Sequence, residues 1–332
     1  MSIKIIKPGV FSTIQDLGRT NFLEQAVPIS GVMDQVSAKI ANLLVGNEAG
    51  AALIEIVDGN FECIVQKDML MALVSGNASF EIDNIATPVN RPLFIPKNSV
   101  LHLKNNMEGR YAYLAIAGGW DVPVVLGSKS TFVTAALGGY HGRPLKKEDE
   151  VLATQPYSTH HNLLFENLKS KSVNWPTWSF PASQFLSPSN SIVRVIMGRE
   201  FNWFEEKAIS DFLSKPYQFT KANRMGVRLE GPNIIRKKSQ QSELLSTAVV
   251  PGTIQVAGDG SLILLMADCQ TTGGYPRLAK VAEVDLPICA QWKQGHAIYF
   301  EAINLKDAEK FYLDLQSRFQ QLATAIHLKT SS

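Results

Sequence analysis

The sequence has few cysteines, no block of like charge and no long apolar run. Its three cysteines, Cys63, Cys269 and Cys289, are odd in number and form no C-x-x-C motif, which argues against a disulfide framework or a zinc knuckle. The 32 basic and 30 acidic residues give a formal charge of +2, and the longest basic cluster is only Arg236–Lys238. No run approaches the ~18 apolar residues of a membrane helix, and MSIKIIKPG lacks a signal-peptide core. We therefore expect a cytoplasmic protein that binds neither nucleic acid nor membrane.

Apolar residues make up 45% of the 332 residues, which is enough for two packed domains. They occur in short runs separated by glycine and proline, a pattern typical of strands in barrels or sandwiches. The runs are Ile3–Ile6, Ala52–Val57, Leu70–Val74, Leu93–Ile95, Val100–Leu103, Tyr111–Ala117, Val193–Met197, Leu262–Ala267 and Ala297–Ala302. The sequence therefore predicts a mainly β protein with a few helices.

A change of composition marks the expected domain boundary. Gln155–Ser191 holds eight serines and four prolines, a composition that seldom forms regular structure. It predicts a linker or surface excursion over 156–191, between a first domain at 1–155 and a second domain with a C-terminal helix at 192–332. Interleaving of the two domains is left open. His160 and His161, within this stretch, are predicted to be solvated.

Two segments have helical periodicity. Asp34 can cap the first, in which Val36, Ile40, Leu43 and Leu44 lie on one face before a stop at Gly46. The second runs over Asn304–Ile326 and begins with Asn304 and Asp307 as a capping pair. Its apolar stripe predicts core packing and consists of Leu305, Ala308, Tyr312, Leu315, Phe319 and Leu322.

Several predicted strands or turns end in dense polar and glycine residues. The most informative is Leu262–Tyr275, LILLMADCQTTGGY, in which a buried strand runs directly into Asp268. An unpaired acid is costly to bury, and Gly273 and Gly274 let the backbone approach a ligand. This combination favours a functional cleft, with a structural turn as the alternative.

Familiar catalytic templates are absent. There is no G-x-S-x-G or H-E-x-x-H motif, and no histidine lies near Cys269 in the sequence. Lys129 in GSKST lacks the frame of a phosphate loop. Forked arginine donors can bind carboxylate or phosphate, or form structural ion pairs. The four arginines in the polar segments are Arg19, Arg143, Arg224 and Arg228.

The same segments carry a resemblance to a known family. TIQDLGR, VPISGVMDQVSAKIANLLVGN, AYLAIAGGWDVPVVLGSKST, ANRMGVRLEG and VVPGTIQVAGDGSLILLMADCQTTGGYP occur in order along nearly the whole chain. They resemble the biotin-dependent carboxyltransferase-like proteins called allophanate hydrolase subunit 2. That family includes the C subunit of 5-oxoprolinase, the KipA protein and the carboxyltransferase segment of urea carboxylase.

The resemblance implies two cyclophilin-like β-barrel domains with a site in the cleft between them. It implies a hydrolase that opens 5-oxoproline to glutamate, with ATP used through a complex. The partners would be the homologous B-type subunit of 5-oxoprolinase, which is KipI-like, and the A-type lactam-utilisation subunit. Asp268 and Asp16 are the candidate catalytic groups. The candidate substrate-binding residues are Gln15, Arg19, Asn223, Arg224, Gln255, Gln270, Thr271, Thr272, Gly273, Gly274 and Tyr275.

Two other functions stay open within the resemblance. One is carboxyl transfer from carboxybiotin to urea or another amide; because no M-K-M triplet occurs here, biotin would lie on a partner protein. The other is a KipA-like regulatory module that sequesters an inhibitor protein without turnover.

The polar segments also predict geometry. We expect Asp268, Gln255 and Arg224 to converge with Gln15 and Arg19, because each follows a strand or lies in a glycine-flanked turn. Asp268 should pair with Arg224 or Arg19, since a buried carboxylate needs a partner. We also expect Asp268→Asn to abolish the activity of the complex with little effect on thermal stability.

Overall fold

The chain is described from a computed structural model over residues 1–76, 78–105, 107–154, 157–180, 185, 191–240 and 244–329, with the backbone of 330 and 331. Its internal contacts divide it into two units that interleave in sequence. Unit 1 comprises Met1–Arg19, Ser30–Pro188 and Phe319–Ser332. Unit 2 comprises Thr20–Ile29 and Ser189–Arg318. This division assigns 20–29 and 319–332 differently from the predicted domains at 1–155 and 192–332.

Unit 1 is built from two antiparallel sheets around one core. The strands are β1 Ser2–Pro8, β2 Phe11–Gln15, β3 Leu53–Val57, β4 Phe61–Val65, β5 Met69–Val74, β6 Phe80–Ile82, β7 Ile85–Ala86, β8 Pro92–Ile95, β9 Val100–Leu103, β10 Tyr111–Ile116 and β11 Glu150–Leu152. One sheet has the order β11-β1-β4-β9-β6-β7, and the other has the order β2-β3-β10-β5-β8. A single cluster of buried side chains includes residues of both sheets, among them Ile5, Phe61, Leu73 and Leu114. The alternating apolar residues of the strands thus meet in one layer.

The first predicted helix is confirmed as α1, Gln35–Leu44, which packs on β10 and β5. Asp34 caps it, because its Oδ1 accepts the backbone N–H of Ser37 at 2.9 Å and its Oδ2 accepts the Ser37 hydroxyl at 2.5 Å. Gly46 follows the helix with a φ of +80°, a conformation that favours glycine.

A second helix lies where the sequence predicted irregular structure. α2 spans Thr159–Leu168, within the serine- and proline-rich stretch, and buries Leu164 and Leu168. Ser158 and His161 form a reciprocal capping box that satisfies first-turn donors. The prediction that His161 is solvated is wrong: the residue is buried, and its Nε2 lies 3.0 Å from the carbonyl oxygen of Gly46. The prediction rested on composition and so overlooked the Ser158 cap and the four-residue spacing of Leu164 and Leu168.

Unit 2 contains a closed seven-stranded barrel in the order β12-β19-β16-β17-β14-β13-β20. Its strands are β12 Ile192–Met197, β13 Tyr217–Ala222, β14 Gly226–Glu230, β16 Thr253–Val256, β17 Leu262–Leu265, β19 Arg277–Val281 and β20 Ala297–Ala302. A separate ribbon pairs β15, Thr247–Ala248, with β18, Thr272–Gly273. β12 and β20 pair in parallel and the other neighbours are antiparallel. The mainly β prediction is confirmed, and every apolar run named above contains a strand.

The remaining helices are α3 Glu206–Ser214, α4 Leu286–Gln291 and α5 Leu305–Ser331. Asn304 begins α5 as predicted, since its Oδ1 accepts the backbone N–H of Asp307 at 2.9 Å. The expectation that the whole apolar stripe of α5 is core is wrong. Leu305 is 69% exposed and Tyr312 is also exposed, whereas Phe319 is buried. No helix in the described ranges is long and apolar enough to cross a membrane.

The last part of α5 belongs to unit 1. Phe319 lies against Phe185, with ring centroids 5.7 Å apart, and Ile326 is buried. His327 stacks on His160 of α2 at 5.0 Å. The C-terminal segment is therefore part of the unit in which the chain starts.

Candidate functional site

Asp16 lies immediately after β2 and organises a loop more than a hundred residues away. Its Oδ1 accepts the Gly18 backbone N–H at 2.8 Å and the hydroxyls of Ser128 and Ser130 at 2.6 and 2.5 Å. Its Oδ2 accepts the backbone N–H of Lys129 at 2.5 Å. These four donors occupy both carboxylate oxygens and fix the GSKST segment. The arrangement makes Asp16 a positioning group for this loop.

The GSKST segment is already engaged within unit 1. The Lys129 ammonium donates to the backbone oxygen of Trp120 at 2.8 Å, and the Thr131 hydroxyl donates to that of Ile14 at 2.8 Å. A phosphate-binding loop would instead direct such donors toward a ligand. The segment therefore does not fit a nucleotide phosphate.

Gln15 is fully buried beside the same loop. Its Nε2 donates to the Thr13 hydroxyl at 3.0 Å and to the Thr131 carbonyl at 3.1 Å. Its Oε1 has no hydrogen-bond partner among the described residues. Arg19 is also buried, and its Nη2 donates to the Ser130 carbonyl at 2.5 Å. Both side chains thus support the loop that Asp16 holds.

Glycine is required where the GGYHGR turn crosses this loop. A Cβ on Gly138 would lie 2.2 Å from the Ser130 oxygen and 2.8 Å from Arg19 Nη2, and its φ is +66°. Any other residue would collide with these atoms or strain the backbone. The predicted polar segments of unit 1 therefore form one packed structure.

Arg224 and Asp268 form a bidentate ion pair in unit 2. Arg224 Nε donates to Asp268 Oδ2 at 2.8 Å and Nη2 donates to Oδ1 at 3.1 Å, and each side chain is only 8% exposed. The backbone N–H of Asp268 also donates to the Arg224 carbonyl at 2.8 Å. The predicted pairing with Arg224 is confirmed. The expected mildness of Asp268→Asn is not consistent with this burial, because breaking such a pair leaves a buried arginine uncompensated.

Cys269 follows Asp268 but is poorly suited to nucleophilic chemistry. It is buried, and burial, followed by the charge of Asp268, raises the pKa of its thiol to about 12. The thiolate is the reactive form of cysteine. A cysteine nucleophile at this position therefore has no electrostatic support.

A pocket of about 450 Å³ lies on the outer face of the barrel. Arg228, Ile263 and Gln255 are cross-strand partners in register on β14, β17 and β16, so their side chains share that face. Their sequence neighbours Val227, Leu264 and Ile254 are buried in the interior. The other lining residues are Lys221, Ala222, Asn223, Met225, Gly226, Leu265, Gln270 and Tyr275.

Two cations and the side-chain amides of two glutamines give this pocket its chemistry. Lys221 and Arg228 are exposed at its wall, while Gln255 is buried with its Nε2 donating to the Tyr275 carbonyl at 3.2 Å. Gln270 lines the pocket from the loop after β17. Such a set can bind an anionic group beside an amide.

The glycines near Gln270 serve close packing. A Cβ on Gly273 would lie 2.7 Å from Gln255 Nε2, and one on Gly274 would lie 3.3 Å from the Leu244 oxygen. The backbone carbonyl of Thr271 accepts the Val249 backbone N–H at 2.9 Å, and Thr272 pairs with Ala248 in the ribbon. These four predicted binding residues shape the loop beside the pocket and are not among its lining residues.

Asn223 lines the pocket but has a turn-forming role. Its Oδ1 accepts the backbone N–H groups of Met225 and Gly226 at 2.8 and 3.1 Å. This is an Asx turn between β13 and β14. The structure thus brings together Asn223, Gln255, Gln270 and Tyr275 in one pocket of unit 2. Gln15, Asp16 and Arg19 lie in unit 1, and convergence of the two groups stays a prediction.

Sequence reasoning missed Lys221 and two buried polar clusters. A register shift between Phe219 and Ala222 interrupts the alternation of β13 and leaves Lys221 exposed. Glu200 forms a bidentate pair with Arg277 at 2.8 and 2.6 Å. Neither the exposure of Lys221 nor the Glu200–Arg277 pair has a short-range signal in the sequence.

The second missed cluster lies inside unit 1. Glu55, in the middle of β3, is fully buried, and its Oε2 accepts the Met33 backbone N–H at 2.7 Å and the Tyr113 hydroxyl at 3.1 Å. Burial and the Glu55 charge raise the pKa of Tyr113 well above its ordinary value. The strand LIEIV offered only the acid itself as a signal. Within the described ranges, no group of three or more His, Cys, Asp and Glu side chains is placed to hold a metal ion.

Comparison with known proteins identifies the family. The carboxyltransferase domain, subdomain A and B, matches residues 25–302, and the chain belongs to this family. The 5-oxoprolinase C subunit of Escherichia coli (strain K12) is 35% identical over 326 residues, which are 98% of this chain and 99% of that protein. The urea amidolyase of Saccharomyces cerevisiae is 30% identical over 321 residues, covering 92% of this chain and 17% of that protein.

Solved structures agree with this assignment. The urea amidolyase of Kluyveromyces lactis superposes with a TM-score of 0.85 at 27% identity, over 98% of this chain and 20% of that chain. This chain thus spans about a fifth of that structure. The structure of TTHA0988 gives a TM-score of 0.76 at 27% identity, over 90% of this chain and 55% of that one. The chain therefore shares its fold with these two structures over most of its length, in agreement with its membership of the carboxyltransferase domain family.

Proposed function

We propose that this chain is the C subunit of an ATP-dependent 5-oxoprolinase, a cytoplasmic hydrolase that acts on 5-oxoproline only together with partner subunits. The supporting observation is the match to the Escherichia coli C subunit, which covers 98% of this chain and 99% of the relative. The urea amidolyase match covers only 17% of its much longer relative. The partners we propose are the homologous B-type subunit, which is KipI-like, and the A-type lactam-utilisation subunit.

The barrel pocket supplies groups that suit this substrate. 5-Oxoproline is a small cyclic amide that carries a carboxylate. Lys221 and Arg228 would bind the carboxylate, and the side-chain amides of Gln255 and Gln270 would hydrogen-bond the lactam N–H and C=O. The volume of about 450 Å³ lies within the range of roughly 300–1,000 Å³ that small-molecule sites occupy.

The chemistry requires activation of a stable amide. ATP would phosphorylate the amide oxygen, with ADP as the leaving group. One water would then add to the activated carbonyl carbon, and the C–N bond would break with proton transfer to nitrogen, leaving an acyl phosphate. A second water would hydrolyse this acyl phosphate to glutamate and inorganic phosphate. We assign this chain the task of orienting the lactam and stabilising developing charge. Because GSKST is engaged internally, we assign ATP to a partner subunit.

The two candidate catalytic acids act in this proposal as positioning groups. Asp268 directs both of its oxygens to Arg224, and Asp16 accepts four hydrogen bonds from its own unit. A general base must present a lone pair to the substrate. Proton transfer is therefore assigned to a group supplied by the complex.

The test is reconstitution. The purified chain alone should release no glutamate from 5-oxoproline and ATP, and the chain mixed with the proteins encoded beside it should release glutamate and ADP together. Arg228→Ala should raise KM for 5-oxoproline by about tenfold or more, since a charge-assisted contact is lost. Arg199→Ala, an exposed arginine outside the pocket, is the matched control. Robust activity of the single chain would overturn the requirement for partners.

Carboxyl transfer is the second candidate function. It is supported by the family match over 25–302 and by the superposition on urea amidolyase. It would require biotin on a separate partner protein. Urea-dependent consumption of carboxybiotin by the purified chain, without 5-oxoproline turnover in the reconstituted mixture, would favour this function. Binding of a KipI-like partner with no turnover of either kind would favour a regulatory module.

A further inference from the structure

Unit 1 has a second pocket that the proposed function does not use. Its volume is about 480 Å³, and it lies among the loop after Trp120, the glycine-rich turn around Tyr140 and the strand β11. The apolar wall includes Val122, Val125 and Leu152. Two carboxylates, Asp121 and Glu150, stand beside this wall.

Neither carboxylate of this pocket forms an ion pair within the described part of the chain, although Lys4 lies opposite Glu150 in the β1–β11 register and interacts with its charge. Asp121 forms no ion pair there, and the Glu150 side chain accepts only the Ser2 hydroxyl, at 3.0 Å. The hydrogen bonds and ion pairs of the neighbouring cations go to other groups: Lys129 donates to the Trp120 carbonyl, Arg143 to Asp149 and Lys4 to Glu148. A pocket with apolar walls and two carboxylates that form no ion pair is complementary to an amine or guanidinium on an apolar stem.

The apolar surface extends beyond the pocket. Val124 is 64% exposed and Leu126 is 38% exposed on the loop that borders it, and Leu152, which lines the pocket, is 51% exposed. A free small molecule in the pocket would leave Val124 and Leu126 in water. Contiguous exposed apolar residues around a polar centre are typical of a protein-binding surface.

The turn that forms one side of the pocket is fixed before any partner arrives. Ala136 and His141 adopt left-handed φ values of +49° and +56°, and a Cβ on Gly142 would lie 2.0 Å from the Ala136 oxygen. The backbone of this turn therefore packs against itself too closely for a side chain at Gly142. Such a preformed surface loses little conformational entropy on binding.

We propose that this pocket and its apolar rim form the docking surface for a partner subunit, which inserts an arginine or lysine side chain beside Asp121 and Glu150 and packs apolar residues on Val124 and Leu126. The identity of the partner rests on the proposed function, since two relatives are named as C subunits of 5-oxoprolinase. The location rests on the unit 1 surface itself.

The experiment measures the affinity of the chain for the neighbouring-gene partner by surface plasmon resonance. Val124→Asp/Leu126→Asp should weaken binding by about tenfold or more, as expected for loss of an apolar interface centre. Val10→Asp and Ile85→Asp place the same change at residues of unit 1 that are 70% and 64% exposed, and both should bind like the wild type. Circular dichroism of every variant checks folding.

A second arm tests the charge. Asp121→Lys/Glu150→Lys should weaken partner binding by about tenfold or more, with a larger effect at low salt. If both variants bind the partner and support 5-oxoproline turnover like the wild type, the docking proposal is overturned while the proposed function stands.

A third arm needs no partner. The peptide acetyl-Leu-Arg-Leu-amide should shift the NMR signals of Val125 and Tyr140 in the wild type, and Asp121→Asn/Glu150→Gln should abolish the shifts. If the wild type fails to assemble with the 5-oxoprolinase partners but shows these shifts, the proposed function fails and the site stands for another partner. Absence of shifts together with partner binding that the variants leave unchanged overturns the site.

Discussion

Asp268→Ala should destabilise the protein strongly. The substitution removes one half of a buried bidentate pair and leaves the Arg224 guanidinium, whose side chain is 8% exposed, without its counter-ion. Losing one partner of such a pair costs about 3–5 kcal/mol. A domain of this size loses about 3 °C in Tm per kcal/mol, so the expected decrease is about 10 °C. Asp268→Asn keeps one acceptor oxygen and should lie between this value and the wild type.

Differential scanning calorimetry of the isolated chain measures the effect. The matched control is Glu166→Ala, which removes an acid paired with Lys169 at the end of α2, where the two side chains are 64% and 51% exposed. That pair is open to solvent, so its loss should barely change Tm. A double variant, Arg224→Met/Asp268→Leu, removes both charges and fills similar volume. Its Tm should recover most of the loss, because a buried ion pair often stabilises no more than an apolar pair.

The double variant also separates packing from function. If it is stable and the reconstituted complex retains activity, the pair only supports the fold. If it is stable but the complex is inactive, Arg224 contributes to the reaction through its charge. A Tm decrease below about 2 °C for Asp268→Ala would refute the burial argument itself, because about 10 °C is expected.

Three further outcomes follow from the pKa shifts. Burial and the Asp268 charge raise the pKa of Cys269 to about 12, so the native thiol should resist iodoacetamide at pH 7 and become alkylated only when the protein unfolds. Mass spectrometry measures the labelling, and rapid labelling of the native protein would contradict this prediction. The Arg277 hydrogen bond lowers the pKa of Glu200 below 4.5. The wild type should therefore be more stable than Glu200→Gln above pH 4.5, and this extra stability should disappear as pH falls through the folded pKa. A stability difference between the two proteins that grows on acidification would contradict this prediction. Burial and then His327 lower the pKa of His160 below 6.5, so the unfolded state binds more protons and this contribution to stability falls as pH falls below 6.5. Hydrogen-exchange protection factors near His327, which correct for the intrinsic exchange rate at each pH, should fall between pH 7.5 and 5.5 in the wild type and change less in His160→Phe.

The sequence predicted nine of the twenty strands of the described ranges, and the capped helices α1 and α5, because those features depend on short-range patterns. Asp34 with Ser37, and Asn304 with Asp307, are three residues apart, so their caps are visible in the sequence. The uninterrupted apolar run Leu262–Ala267 also predicted the strand that leads into Asp268. The Arg224–Asp268 pair was predictable because a buried acid requires a partner, and Arg224 and Arg19 lay in the polar segments that were expected to converge on Asp268.

Other features depend on contacts that spacing does not encode. Asp16 holds Ser128 and Ser130 across more than a hundred residues, so GSKST could not be recognised as an internally engaged loop. α2 was missed because a capping histidine and two leucines outweigh a serine- and proline-rich composition. The pocket of unit 2 needs the cross-strand register of Arg228, Ile263 and Gln255, which only the closed barrel defines.

The interleaved units impose an order on synthesis. All the residues of unit 2 leave the ribosome before Phe319–Ser332, the segment that completes unit 1. Domains generally fold as units during translation, so unit 2 can finish while unit 1 still lacks its last part. Until Phe319 and Ile326 arrive, the apolar surface that buries them is exposed to solvent. The nascent chain thus offers a chaperone-binding surface in the unit whose synthesis began first.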